Sequence, residues 1–226
     1  MRNIMNKKTL NYSTDIVICL DTTKTMAPCI EEIKTNALSF YQQYVDEMAA
    51  NLKTVQEVRI KIITFKNCNI DLEPIKESRF YNLETETEEF FEYINNINAS
   101  GGNCSFNNSL EALALAIKSK WNQKGEIRRH VIMMCTDSSA EALGYNEKSN
   151  YYPAGMPSSF AELHEWWEDD QKMERRAKRL LIFAPDTDPW SAMIDWSNTF
   201  HTPSQAGKGC EEVDFADCIH LLVNSI

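Results

Sequence analysis

Four stretches of the chain, residues 15–20, 58–65, 129–135 and 180–184, are dominated by apolar and β-branched side chains. Runs of this length read as strands buried on both faces, as in parallel sheets. Between them the apolar positions recur at steps of three and four. Ile30, Ile33, Ala37, Tyr41, Tyr44, Met48 and Leu52 form one stripe, which predicts a single helix from Pro28 to Leu52. Leu110, Leu113, Ala114 and Ile117 form another over residues 109–121, with Gly125 beyond its end. Residues 86–97 predict a helix whose first-turn carboxylates suit the helix dipole.

Ser159-Phe160-Ala161-Glu162 has the form of a capping box. The helix it opens carries Trp166 and Trp167 and is expected to end in the basic turn 175–179. Asp188-Pro189 reads as the cap and first position of a short helix ending near Trp196. A strand at 199–202 and a helix from Asp214 close the chain. Strands alternating with helices predict the α/β class, with a single doubly wound, mostly parallel sheet and helices on both faces. A weak run at 79–83 adds one short antiparallel edge strand. The expected organisation is a polar amino-terminal extension, residues 1–14, followed by one domain, residues 15–226.

Composition narrows the function classes. Lys and Arg number 23 against 33 Asp and Glu, a formal charge of −10 that argues against a nucleic-acid footprint. No apolar run approaches the roughly 18 residues of a membrane span, and residues 1–14 lack the apolar core of a signal peptide. Seven cysteines without a Cys-x-x-Cys pair argue against a disulfide framework and a zinc knuckle. Cys19 and Cys135 fall inside expected strands, where a thiol acts as a small hydrophobe, and a reducing cytoplasm fits.

The chemistry gathers at strand ends. The first strand runs into Asp21, Thr23 and Thr25, and the strand at 129–135 runs into Asp137. In open α/β sheets the carboxyl ends of the strands are where ligands bind. Oxygen donors of this kind suit one Mg²⁺ or Mn²⁺ ion. Asn103 or Ser105, in the loop at 98–108, could add a ligand. The metal-free reading is that Asp21 caps the following helix while Thr23, Thr25, Asn103 and Ser105 bond local backbone.

The long loop 138–157 carries Tyr145, Tyr151 and Tyr152, which suit either a partner surface or a lid packed on the domain. Trp166 and Trp167 are adjacent, so they cannot share a helix face; one belongs to the core and the other to a rim or interface. The four histidines have no ligand spacing and read as structural. Enzymatic readings find less support. Asp-x-Asp-x-Thr would suggest an aspartyl-phosphate phosphatase using Mg²⁺ with Asp21 as nucleophile, but Thr23 stands where the second carboxylate belongs. The phosphate-loop spacing fails around Lys208, and Gly-x-Ser-x-Gly is absent.

Asp21-x-Thr23-x-Thr25 resembles the Asp-x-Ser-x-Ser signature of von Willebrand factor A (vWA) domains. Ser100-Gly101-Gly102, Arg128-Arg129-His130-Val131-Ile132, Tyr152-Pro153-Ala154-Gly155-Met156-Pro157, Phe183-Ala184-Pro185-Asp186 and Pro203-Ser204-Gln205-Ala206-Gly207 extend the likeness. Together they resemble stand-alone bacterial vWA proteins of tellurite-resistance-type systems, over nearly the whole chain from Asp15. The resemblance implies a metal-ion-dependent adhesion site (MIDAS) at which an acidic residue of a partner completes the coordination of one cation. It also implies a non-enzymatic role in signalling or stress defence beside a serine/threonine kinase and a PPM-type phosphatase. The loop Gly101-Gly102-Asn103-Cys104-Ser105-Phe106-Asn107 departs from the group's acidic pattern, with Cys104 in place of Asp and Asn107 in place of Glu. The loss of two charges keeps a second reading open, a degenerate scaffold that binds partners without metal.

Overall fold

The computed structural model describes residues 10–102, 106–211 and 214–226. Its centre is strand β1 (Asn11–Asp21), every residue of which after Asn11 is buried. Parallel neighbours flank it on both sides, β2 (Thr54–Phe65) and β6 (Ile127–Cys135). Beyond β6 lie β8 (Lys178–Pro185) and β9 (Thr199–Ser204), also parallel. β3 (Ile75–Glu77) and β4 (Tyr81–Asn82) both pair antiparallel with β2. The main sheet therefore has seven strands, with path β3-β2-β1-β6-β8-β9 and β4 beside it. β5 (Phe106–Asn107) and β7 (Ser139–Ala140) form a separate parallel pair.

Alternation along β1 sends its side chains to two cores. Ile16, Ile18 and Leu20 pack with α1 (Ala27–Asn36), α2 (Phe40–Ala50), α3 (Thr87–Asn95) and α6 (Phe215–Ser225), through residues such as Ile30, Tyr44, Phe90 and Leu222. Val17 and Cys19 face α4 (Ser109–Ile117) and α5 (Phe160–Glu168), through Leu113, Ile117, Leu163 and Trp167. Each fully buried Leu or Ile removes apolar area worth roughly 1.5–3 kcal/mol from water. The doubly wound, mostly parallel sheet expected from the sequence is the fold observed. Among the described residues no helix is long and apolar enough to cross a membrane.

Several local expectations are corrected. β1 starts at Asn11, inside the expected extension, because its polar residues find partners on β2 and on α2. Thr14 Oγ1, for example, shares a 2.8 Å hydrogen bond with the Tyr44 hydroxyl. The single helix expected from Pro28 to Leu52 is two, broken at residues 37–39. There the side chains of Thr35, Asn36 and Ser39 take the carbonyl oxygens of Glu31, Glu32 and Asn36, competing with the helical ladder. The antiparallel strand expected at 79–83 is present as β4, and a second, β3, precedes it outside that run, with the Ser78 hydroxyl between them accepting from the amide of Ile62.

α4 ends at Ile117 rather than Trp121, whose indole donates back to the Ile117 carbonyl. α5 has the Ser159 cap, which accepts from the Glu162 amide at 3.2 Å, but it stops at Glu168. Of the basic residues expected to end it, Arg175 and Arg176 lie in the turn before β8, and Lys178 and Arg179 open that strand. Asp188 and Pro189 do not open a helix: their peptide bond is cis, and the following 3₁₀ turn, Ser191–Asp195, has Trp190 at its cap position.

Candidate functional site

β1 and β6 are adjacent and parallel, so their carboxyl ends deliver Asp21 and Asp137 to the same rim. Asp21 is fully buried. One of its oxygens accepts from the Thr23 amide at 2.8 Å, and the other accepts from Thr136 Oγ1 and Asn107 Nδ2, both at 2.7 Å. From there the hydroxyls continue outward. Thr23 Oγ1 lies 3.4 Å from Thr25 Oγ1, and Thr25 Oγ1 donates to Asp137 Oδ1 at 3.2 Å. Asp137 also accepts from Ser138 Oγ at 3.2 Å and from the Gly209 amide at 2.8 Å. All four residues singled out from the first and third stretches thus form one hydrogen-bonded chain.

Backbone closes tightly around this chain. A Cβ on Gly102, which has φ +76°, would stand 2.4 Å from Thr23 Cβ. A Cβ on Gly209 would stand 2.2 Å from the Thr25 carbonyl oxygen. Both glycines let a loop pass directly over a hydroxyl residue of the site. Asn103 and Ser105, the expected middle-loop ligands, lie outside the described residues.

The electrostatics are uncompensated. Burial pushes the Asp21 carboxyl up to about 6, hydrogen bonds from Thr136 and Thr23 pull it partway back, and the charge of Asp137 raises it further. No basic side chain figures among these influences. Among the described residues no three His, Cys, Asp or Glu side chains gather at one point. A cation here would therefore rest on two carboxylates and a set of hydroxyls, a hard oxygen donor set that fits Mg²⁺ or Mn²⁺. Asn107 Oδ1 is buried with no hydrogen-bond partner among the described residues, a further oxygen beside the carboxylate.

Thr136 and Asn107 were not among the expected site residues. The signal for Thr136 was its place beside Asp137 at a strand end. Asn107 was visible only as a lost charge, whereas the structure makes it a donor to Asp21.

Loop 138–157 is anchored rather than free. Asn146 is buried and donates to Asn108 Oδ1 at 2.9 Å, and that same oxygen accepts from the Cys68 amide at 2.7 Å. Tyr152 is half-buried, its hydroxyl accepting from the Gly144 amide at 2.9 Å and facing the buried Glu111, whose carboxyl burial pushes up. Tyr145 and Tyr151 remain exposed, at 69% and 45%. Trp167 is core, and half-buried Trp166 on α5 lies between the ammonium groups of Lys118 and Lys172.

Comparison with known proteins agrees with the fold. A family model described as Mediator complex subunit 25 von Willebrand factor type A matches residues 10–165. No curated protein matches. Two crystal structures of the pilus adhesin SpaC from Lactobacillus rhamnosus GG are similar in fold, with TM-scores of 0.58 and, for the open conformation, 0.55. Their identities to the chain are 8% and 9%; each covers 95% of it, and the chain spans 31% of their own length.

Proposed function

Since the chain belongs to the von Willebrand factor type A family, we propose that it is a non-enzymatic protein-interaction module that uses one divalent cation to hold an acidic residue of a partner. Asp21, Thr23, Thr25 and Asp137 would hold the ion, Mg²⁺ or Mn²⁺. The ion's role there is to offer a coordination position to a partner carboxylate. The chain's own residues bring the donors together at one rim of the sheet, and Thr136 and the Thr23 amide fix the Asp21 carboxylate. The observation that carries this reading is the buried Asp21 carboxylate, raised to about 6 and linked through Thr23 and Thr25 to a second carboxylate, whose charge raises it further. By the sequence resemblance, the setting is a bacterial cytoplasm, the partners a serine/threonine kinase and a PPM-type phosphatase, and the context signalling or stress response.

Mass action supplies the test, because a ligand that binds only the folded state raises its stability. Thermal unfolding should shift upward with added Mn²⁺ in the wild type and stay fixed in Asp137→Ala. An unresponsive wild type would remove the metal.

A second reading rests on Asn107. Its amide donates to the carboxylate in the position where the resembling group has an acid, and with Thr136 and the Thr23 amide it satisfies Asp21 without an ion. In that case partners bind through exposed Tyr145 and Tyr151 or through Trp166. Capture of a partner would then survive chelator and fail in Tyr145→Ala/Tyr151→Ala. Asp21 as a phosphatase nucleophile is disfavoured by its complete burial and by hydrogen bonds on both oxygens.

A further inference from the structure

The opposite end of the same strands carries a second site. An open trough of about 790 Å³ runs across the amino ends of β6 and β8, and five arginines line it: Arg128, Arg129, Arg175, Arg176 and Arg179. This is a local concentration of positive charge on a chain whose formal charge is −10. Two acids share the trough, and both are engaged. Glu174 pairs with Arg128 at 2.5 Å, and Glu126 accepts from the Asn11 side chain at 3.2 Å. Among the described residues none of the other four arginines forms an ion pair with a carboxylate, although the charge of Glu174 also reaches Arg129.

Two guanidiniums are partly sunk into the protein and incompletely satisfied. The Nε atoms of Arg128 and Arg129 are buried without a hydrogen-bond partner. Arg129 lies over the Tyr12 ring at 5.5 Å and gives one hydrogen bond, to the Arg128 carbonyl at 2.7 Å. Arg179 is held by the carbonyls of Ser225 and Lys178. Lys53 is close enough for its charge to feel both Arg129 and Arg179. Half-buried like charges with spare donors cost stability unless an anion meets them.

We propose that this trough binds a phosphate monoester. Guanidiniums present paired donors that match phosphate oxygens, and a dianion with three acceptor oxygens offsets more of the mutual repulsion than one carboxylate can. The negative charge of the whole chain disfavours an extended polyanion, whereas a compact anion needs only the local field. β6 is nine residues long, so at about 3.3 Å per residue the trough lies roughly 25 Å from the Asp21 rim. The two sites are therefore separate.

Calorimetric titration in chelator, which silences any metal at the other rim, tests the proposal. The titrants are O-phosphoserine, a neutral peptide bearing one phosphoserine, the same peptide with Glu in that position, and a single-stranded DNA 20-mer. The phosphorylated peptide should bind, and added salt should weaken it. Arg175→Gln/Arg176→Gln, at two exposed positions and with its melt checked against wild type, should weaken it about tenfold or more. Equal binding of O-phosphoserine would identify a small phosphorylated molecule as the source, and tighter binding of the peptide a phosphorylated chain; both support the site. Four results would overturn it: no phosphate binding at millimolar concentration, equal binding of the Glu peptide, tighter binding of the DNA, or an unchanged double variant.

Discussion

The two ends of the central strands carry opposite charge for the same structural reason. At the carboxyl rim, Asp21 and Asp137 are both buried, and the charge of Asp137 adds to the effect of burial on Asp21. At the amino rim five arginines gather, and one of them is paired with a carboxylate. Strands buried on both faces leave their side chains no room for chemistry along their length. Chemistry is displaced to the two rims, and there it depends on which residues the loops contribute. The difference lies in preorganisation: the acidic rim is a closed hydrogen-bonded chain, while the basic rim is an open trough.

The largest effect expected from breaking this contrast is at Asp21 itself. Its carboxyl is raised from an ordinary value of 3.8 to about 6 by burial, so the folded state holds the proton more tightly than the unfolded chain. In the metal-free protein the contribution of Asp21 to stability, read as wild type minus Asp21→Asn, should therefore be fully present below about pH 4, fall as pH rises through about 6, and level off above it. Above that pH, Asp21→Asn should be more stable than wild type by up to roughly 3 kcal/mol. Saturating Mn²⁺ should flatten the wild-type profile. Thermal melts across the pH range, with and without metal, measure both.

Asn107→Asp sharpens the comparison by replacing a donor to Asp21 with a second negative charge. In chelator it should cost about 1–3 kcal/mol, read as a lower urea midpoint. With Mn²⁺ the loss should be recovered and the apparent affinity should exceed that of wild type. An Asn107→Asp protein as stable as wild type in chelator would mean that the Asn107–Asp21 bond contributes nothing.

Much of this contrast was legible in the sequence. Nearly continuous apolar runs fixed the strands, because a strand covered on both faces tolerates few polar residues. The carboxylates at residues 21 and 137 were legible because Asp21 directly follows such a run and Asp137 lies one residue beyond another. Asn107 and Thr136 were not, since their role comes from a pairing between chain-distant loops that no local period records. The start of β1 was hidden by Ser13 and Thr14, which are polar yet buried and bonded inside the fold. The arginine trough was hidden too. Residues 175–179 read as a helix end, and only the strand order places them beside Arg128 and Arg129.

The smallest effect is expected at the tyrosine loop. Tyr145→Ala and Tyr151→Ala alter exposed side chains and should leave stability within about 0.5 kcal/mol of wild type. Tyr152→Phe removes the hydroxyl that accepts from Gly144 and faces Glu111. It should cost about 1 kcal/mol, so only the first two substitutions report cleanly on a partner surface. Chemical denaturation distinguishes the two cases.

The claim that a divalent ion bridges the ends of β1 and β6 is tested most directly by titrating Mn²⁺ into the metal-free protein in a calorimeter, beside Asp21→Ala. The account predicts a saturable signal with one ion per chain in the wild type and none in the variant. A flat wild-type trace, or the same signal from Asp21→Ala, would contradict it.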